Sequence, residues 1–193
     1  MPKQSNGRYR GGLRGGRLML GYIISSGRGA GDRLMITIAE GLGARGIAVV
    51  GALQLNVEHD PERHCHMDLR ILGREDVLRI SEDRGRHARG CRLDPRGLAD
   101  AVARVESVLD QGRATIMLIN KFGKQEAEGG GFREVIGRAL IAGVPVLTTV
   151  SQGNLAAFRD FAEGLATEVA ADPAQAIAWC LAAATDTPPA LAV

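Results

Sequence analysis

The sequence predicts an α/β fold, a mostly parallel sheet flanked by helices with an inserted β-hairpin, and three observations carry that prediction. Short apolar runs of the kind that fully buried parallel strands show, such as Ile116 to Ile119 and Val144 to Val150, alternate with stretches whose apolar residues recur at helical spacing. An early strand runs into a helix through a glycine-rich turn, Ser26-Gly27-Arg28-Gly29-Ala30-Gly31. Between residues 56 and 94 the pattern changes to two-residue alternation, which marks the hairpin. A chain of 193 residues is large enough for one core, so a single domain over residues 17–185 is expected.

In chain order, Arg17 to Ser25 reads as the first strand, and Asp32 stands where it could cap a helix bearing Leu34, Met35, Ile38 and Leu42. Gly46 stops that helix, and Ile47 to Leu55 is a second buried strand. Cys65 to Leu72 and Asp76 to Ser81 form the hairpin around Gly73-Arg74-Glu75. Asp94 caps the next helix with Pro95 at its first position, and Leu98, Val102, Val105, Val108 and Leu109 make its apolar stripe. The strand at Ile116 to Ile119 leads into a polar loop, Asn120 to Gly131, before a helix carrying Phe132, Val135, Ile136, Ala139 and Leu140. Val144 to Val150 is a further buried strand. A short helix with Leu155, Phe158, Phe161 and Ala162, an edge strand at Thr167 to Ala170 and a helix from Pro173 to Ala184 complete the chain.

Composition excludes several classes. Apolar content of 45% and charged content of 24% are ordinary for a globular protein. No run approaches the roughly 18 apolar residues that span a bilayer, and no long apolar h-region follows the basic N-terminus, so a cytoplasmic protein without membrane insertion is expected. Cys65, Cys91 and Cys180 are too few and too scattered for a disulfide framework. Lys3, Arg8, Arg10, Arg14 and Arg17 make the start of the chain basic, leaving 19 basic against 22 acidic residues in the remainder. Residues 1–16 read as a disordered Gly/Arg-rich leader and 186–193 as a tail; the leader is short and has one aromatic, Tyr9, so nucleic acid is not the expected partner. Of the 24 basic residues only Lys3, Lys121 and Lys124 are lysine, and two of these lie in the polar loop.

Ligands of open parallel sheets bind at the carboxyl ends of the strands, which places the candidate site on two loops. In the first, Gly27, Arg28, Gly29 and Gly31 have the layout of a phosphate-binding turn, where backbone N–H groups and a helix N-terminus cradle an anion. The motif itself is broken. With Gly31 taken as the second glycine of G-x-x-x-x-G-K-[ST], Asp32 replaces the phosphate lysine and Arg33 the magnesium-binding hydroxyl. In the second loop, Asn120, Lys121, Lys124, Gly130 and Gly131 offer cations and backbone donors to the same anion. Neighbouring central strands would bring the two loops together. Arg86, Arg89 and Arg92, with Arg84, could close as a lid. On the hairpin His64, His66 and Asp68 alternate onto one face, and Cys65 and Cys91 lie near them, a set that permits a metal site. A solvated polar face is the plainer reading of that set.

The order of elements resembles the P-loop NTPases, most closely the small nucleoside-triphosphatases related to nucleotide kinases. Those proteins carry a stretch like D-E-I-G-K-M-E where this chain has Asn120-Lys121-Phe122-Gly123-Lys124-Gln125-Glu126. Gly123, Lys124 and Glu126 match it, whereas Asn120 and Lys121 replace the acidic pair that serves magnesium and water. From about Leu18 to Leu165 the chain also resembles a bacterial family labelled only as a domain of unknown function, whose members often sit near molybdate transport genes. The strings that carry this are C-H-M-D-L-R at Cys65 to Arg70, R-G-C-R-L-D-P at Arg89 to Pro95 and N-K-F-G-K-Q-E-A-E-G-G-G-F-R at Asn120 to Arg133. The resemblances imply a degenerate relative of P-loop NTPases that binds an oxyanion or a nucleotide phosphate, with molybdate or a nucleotide as the implied ligand. Binding is expected ahead of catalysis. The alternatives are an NTPase or kinase-like phosphohydrolase whose lysine has moved to Lys121 or Lys124, and a metal-binding module on the hairpin. An oligomer is compatible with each.

Overall fold

The computed structural model describes residues 19–27, 29–57, 66–82 and 93–185. Seven strands lie in one sheet: β1 (Leu20–Ser25), β2 (Val49–Val57), β3 (His66–Leu72), β4 (Val77–Arg79), β5 (Ile116–Phe122), β6 (Val146–Ser151) and β7 (Ala166–Glu168). Six helices accompany them among the described residues: α1 (Ala30–Gly43), α2 (Pro95–Leu109), α3 (Lys124–Ala127), α4 (Arg133–Ile141), α5 (Leu155–Ala162) and α6 (Pro173–Thr185). The strand order is β4-β3-β2-β5-β6-β1-β7. The five strands from β2 to β7 in that order are parallel, and β3 and β4 are antiparallel. This is the P-loop NTPase-like sheet the sequence implies, and the inserted hairpin widens it at one edge.

Alternation along the central strands feeds two cores, as expected when a sheet is covered on both faces. On one face Tyr22, Ala52, Met117, Ile119, Phe122 and Val150 pack against Leu98 and Val105 of α2, Val135 and Ile136 of α4 and Phe158 of α5. On the other, Ile23, Leu53, Leu118 and Leu147 meet Met35, Ile38 and Leu42 of α1 and Ala176 and Cys180 of α6. Several of the aromatic residues are grouped: Phe158 lies 4.9 Å from Tyr22 and 5.1 Å from Phe122 between ring centroids. Asp94 caps α2 as its position predicts, its Oδ1 accepting the Arg96 N–H at 2.9 Å. The ring of Trp179 on α6 covers Gly21 so closely that a Cβ there would stand 2.6 Å from a ring carbon.

Two expectations need correction. β5 does not end at Ile119 but runs to Phe122, because the Phe122 ring is fully buried and pulls the chain back into the core. The remainder of the expected loop is folded, with α3 filling Lys124 to Ala127. Nor are the strands carrying the two site loops neighbours. β6 lies between β1 and β5, so the loops meet across an intervening strand. The leader 1–16, the tail 186–193, Arg28, the lid arginines Arg86, Arg89 and Arg92, and His64, Cys65 and Cys91 lie outside the described residues. Among the described residues, no helix is long and apolar enough to cross a membrane.

Candidate functional site at the carboxyl ends of β1, β5 and β6

β1 ends at Ser25 and α1 begins at Ala30. The turn between them bends through two left-handed residues, Gly27 at φ 86° and Gly29 at φ 70°, a conformation open to glycine at little cost. Gly29 stands at the N-cap without a side-chain cap, so the first N–H groups of α1 face the mouth of the turn, where an anion would be favoured. Gly31 has a packing role: a Cβ there would lie 2.9 Å from the Cβ of Ser25 and 3.6 Å from that of Thr149. Glycine therefore lets the start of the helix rest directly on β1 and β6.

Asp32 is not the cap of α1. It is the third residue of the helix and buried. Its Oδ1 accepts the amide of Asn120 at 2.8 Å, and Asn120 Oδ1 in turn accepts the hydroxyl of Thr149 at 2.6 Å. All three residues are buried, so a chain of hydrogen bonds ties α1, β5 and β6 at the heart of the site. It spans the intervening strand and joins the two loops that sequence reasoning places together. Thr148 performs a complementary task on the opposite face. The β5–β6 register shifts between Ile119 and Phe122, where the Asn120–Lys121 peptide is cis, and the Thr148 hydroxyl accepts Phe122 N–H at 3.1 Å and donates to Ile119 O at 2.8 Å. Neither threonine was among the sequence candidates. A pair of hydroxyls inside the apolar run Val144 to Val150 was the available signal.

The segment from Gly123 to Phe132 is closed on itself. Glu126 is buried, its two carboxylate oxygens accepting Gly123 N–H at 2.8 Å and Phe132 N–H at 3.0 Å. Gly131 adopts φ 54°, and a Cβ there would collide with Glu126 Oε1. The Gly129 and Gly130 N–H groups bond to Glu126 O at 3.2 Å and Gln125 O at 2.8 Å. The N–H groups of Gly129, Gly130 and Phe132 are thus engaged within the loop, and Glu126 is a brace facing inward. Lys121 is exposed, and Lys124 has 74% of its side chain exposed with its Nζ 3.6 Å from Glu128.

On the hairpin, buried Asp68 is held by Arg79 through Nε at 2.9 Å and Nη2 at 3.3 Å. That hydrogen bond raises the Arg79 pKa. Asp68 is therefore engaged in an ion pair with Arg79, and of its expected metal-set companions His64, Cys65 and Cys91 lie outside the described residues. No group of three His, Cys, Asp or Glu among the described residues could hold a metal ion.

The sheet, the glycine turn opening into α1 and the polar end of β5 together describe a P-loop-like α/β protein. The chain belongs to the family described as "Protein of unknown function (DUF2478)", which matches residues 20–179. It is also similar to the "Molybdenum import ATP-binding protein ModC 2" of Bradyrhizobium diazoefficiens (strain JCM 10833 / BCRC 13528 / IAM 13628 / NBRC 14792 / USDA 110), being 34% identical over 152 residues. The matched segment is 77% of this chain but spans only 16% of that relative's length. No solved structure matches the chain.

Proposed function

We propose that this protein is a P-loop-derived binding module that takes a small oxyanion or a nucleotide phosphate at the glycine turn and serves molybdenum handling. The Asp32–Asn120 hydrogen bond carries this reading. It joins the two positions that a P-loop NTPase gives to its phosphate lysine and its magnesium carboxylate, so a triphosphate–magnesium complex loses both holds. What remains is the turn itself, with Gly27, Gly29 and Gly31 leading into the first amides of α1, Arg28 within the same stretch of sequence, and Asn120 and Lys121 at the end of β5. A few charge-assisted hydrogen bonds of about 1.5 to 3 kcal/mol each, less the cost of association, suit micromolar affinity. The name of the molybdenum-import relative supports molybdate as the ligand. Lys124, turned to solvent beside Glu128, speaks for binding over a lysine relocated into catalysis.

Titration calorimetry of the whole chain with molybdate, tungstate, phosphate, ADP and ATP, with and without magnesium, tests the proposal. Micromolar binding of at least one of them is expected. No heat from any of them overturns it.

A further inference from the structure

We infer that Arg70 is an anion-binding residue of this site and that its guanidinium grips one edge of a tetrahedral oxyanion; the inference rests on the anion-binding reading above. Leu53 pairs with Arg70 on one side and with Asn120 on the other, so the three residues form one row across β3, β2 and β5. Paired residues share a face of the sheet, and Asn120 identifies that face as the one under α1. Strands lie about 4.8 Å apart, which puts the Cα atoms of Arg70 and Asn120 about 10 Å apart. The sheet order brings α1 towards Asn120 from the β1 side and Arg70 from the β3 side.

The state of Arg70 is unusual. The side chain is half-buried and its Nε is fully buried without a hydrogen-bond partner. Asp68, two residues away on the same face, is held by Arg79, and Arg70 makes no ion pair among the described residues. A half-buried cation lacking a counter-charge is costly, and an apolar side chain would serve stability better at such a place. The cost is met when an anion arrives, because the planar fork offers parallel N–H donors matched to two oxygens of phosphate or molybdate. Arg70 thus supplies the positive charge that Asp32 has displaced from the glycine turn. The Asp32 carboxylate nearby favours a mono- or dianion over a triphosphate.

The test compares full-length protein with the variants Arg70→Met and Arg70→Lys, titrated with molybdate, tungstate, phosphate and ATP, and melted without ligand. Arg70→Met is expected to lose about 10- to 100-fold in affinity, the worth of a charge-assisted contact. Its ligand-free melting midpoint should stay level or rise, because an unpaired charge has been removed. Arg70→Lys should recover only part of the loss, since the charge returns without the fork. Equal loss for free oxyanions and ATP assigns Arg70 to a shared phosphate-type contact, whereas loss confined to the free oxyanions assigns it to them alone. If the unaltered protein binds none of the probes, the anion-binding reading fails. If it binds and Arg70→Met binds as tightly, Arg70 alone is refuted. A lowered ligand-free midpoint with unchanged affinity at temperatures where the variant is folded makes Arg70 structural and refutes it equally.

Discussion

Replacing Asn120 by leucine, a side chain of similar size, probes the junction on which the site is built. The substitution removes the 2.8 Å bond to the Asp32 carboxylate and the 2.6 Å bond from Thr149 while leaving little cavity. A hydrogen bond to a charged group contributes about 1.5 to 3 kcal/mol and a neutral one about 0.5 to 1.5 kcal/mol. Burial of the leucine offsets about 1 kcal/mol of this. A net loss of about 1 to 3.5 kcal/mol is expected, read as a lower urea midpoint with an unchanged slope. For a chain of this size the corresponding fall in melting temperature is roughly 2 to 14 °C. Thr149→Val, measured alone and with Asn120→Leu, completes a double-mutant cycle in which the shared bond gives a coupling of about 0.5 to 1.5 kcal/mol. A stability within about 0.5 kcal/mol of the parent for Asn120→Leu, or a strictly additive cycle, refutes the hydrogen-bonded junction.

Two further outcomes follow from buried groups elsewhere. Glu126→Gln turns one of two backbone acceptors into a donor facing an N–H, and should cost about 1.5 to 3 kcal/mol and speed amide exchange at Gly123 and Phe132; unchanged exchange at both contradicts the brace. Burial pushes the Cys180 thiol up to about 12 from an ordinary 9.0, so in a Cys65→Ser/Cys91→Ser protein a thiol probe at pH 8 should label only on unfolding. Because the folded value is raised, the associated stability is fully present below pH 9.0 and is lost as pH climbs towards about 12. Rapid labelling of the folded protein would contradict the packing of α6 on α1.

The strands and helices with strong periodicity were readable because burial wrote them into the spacing of apolar residues. Val135, Ile136 and Ala139 mark α4, and Asp94 with Pro95 marks the start of α2. The four residues of α3 were not readable, since one turn is too short to show a period and Glu126, its buried member, looks like a surface charge until Gly123 and Phe132 are seen to converge on it. Strand order was also hidden. Nothing local in Val146 to Ser151 says that it separates β1 from β5, because adjacency in a parallel sheet is set by long-range packing. The candidate site was half legible. Its glycine turn and its Asn120 loop were found and are linked, but the link is the Asp32–Asn120–Thr149 chain rather than the lysines. Arg70 drew no attention inside the string Cys65 to Arg70 because its distinguishing property, a buried Nε without a partner, exists only in three dimensions.

Crystals of the full chain grown with saturating tungstate, with anomalous data collected at the tungsten edge, test the central claim most directly. The account predicts one strong peak at the carboxyl ends of β1 and β5, within hydrogen-bonding reach of the Gly27–Gly31 turn or the Asn120 end of β5. A protein saturated with tungstate that shows no peak there, or peaks only on the outer faces of the helices, contradicts it.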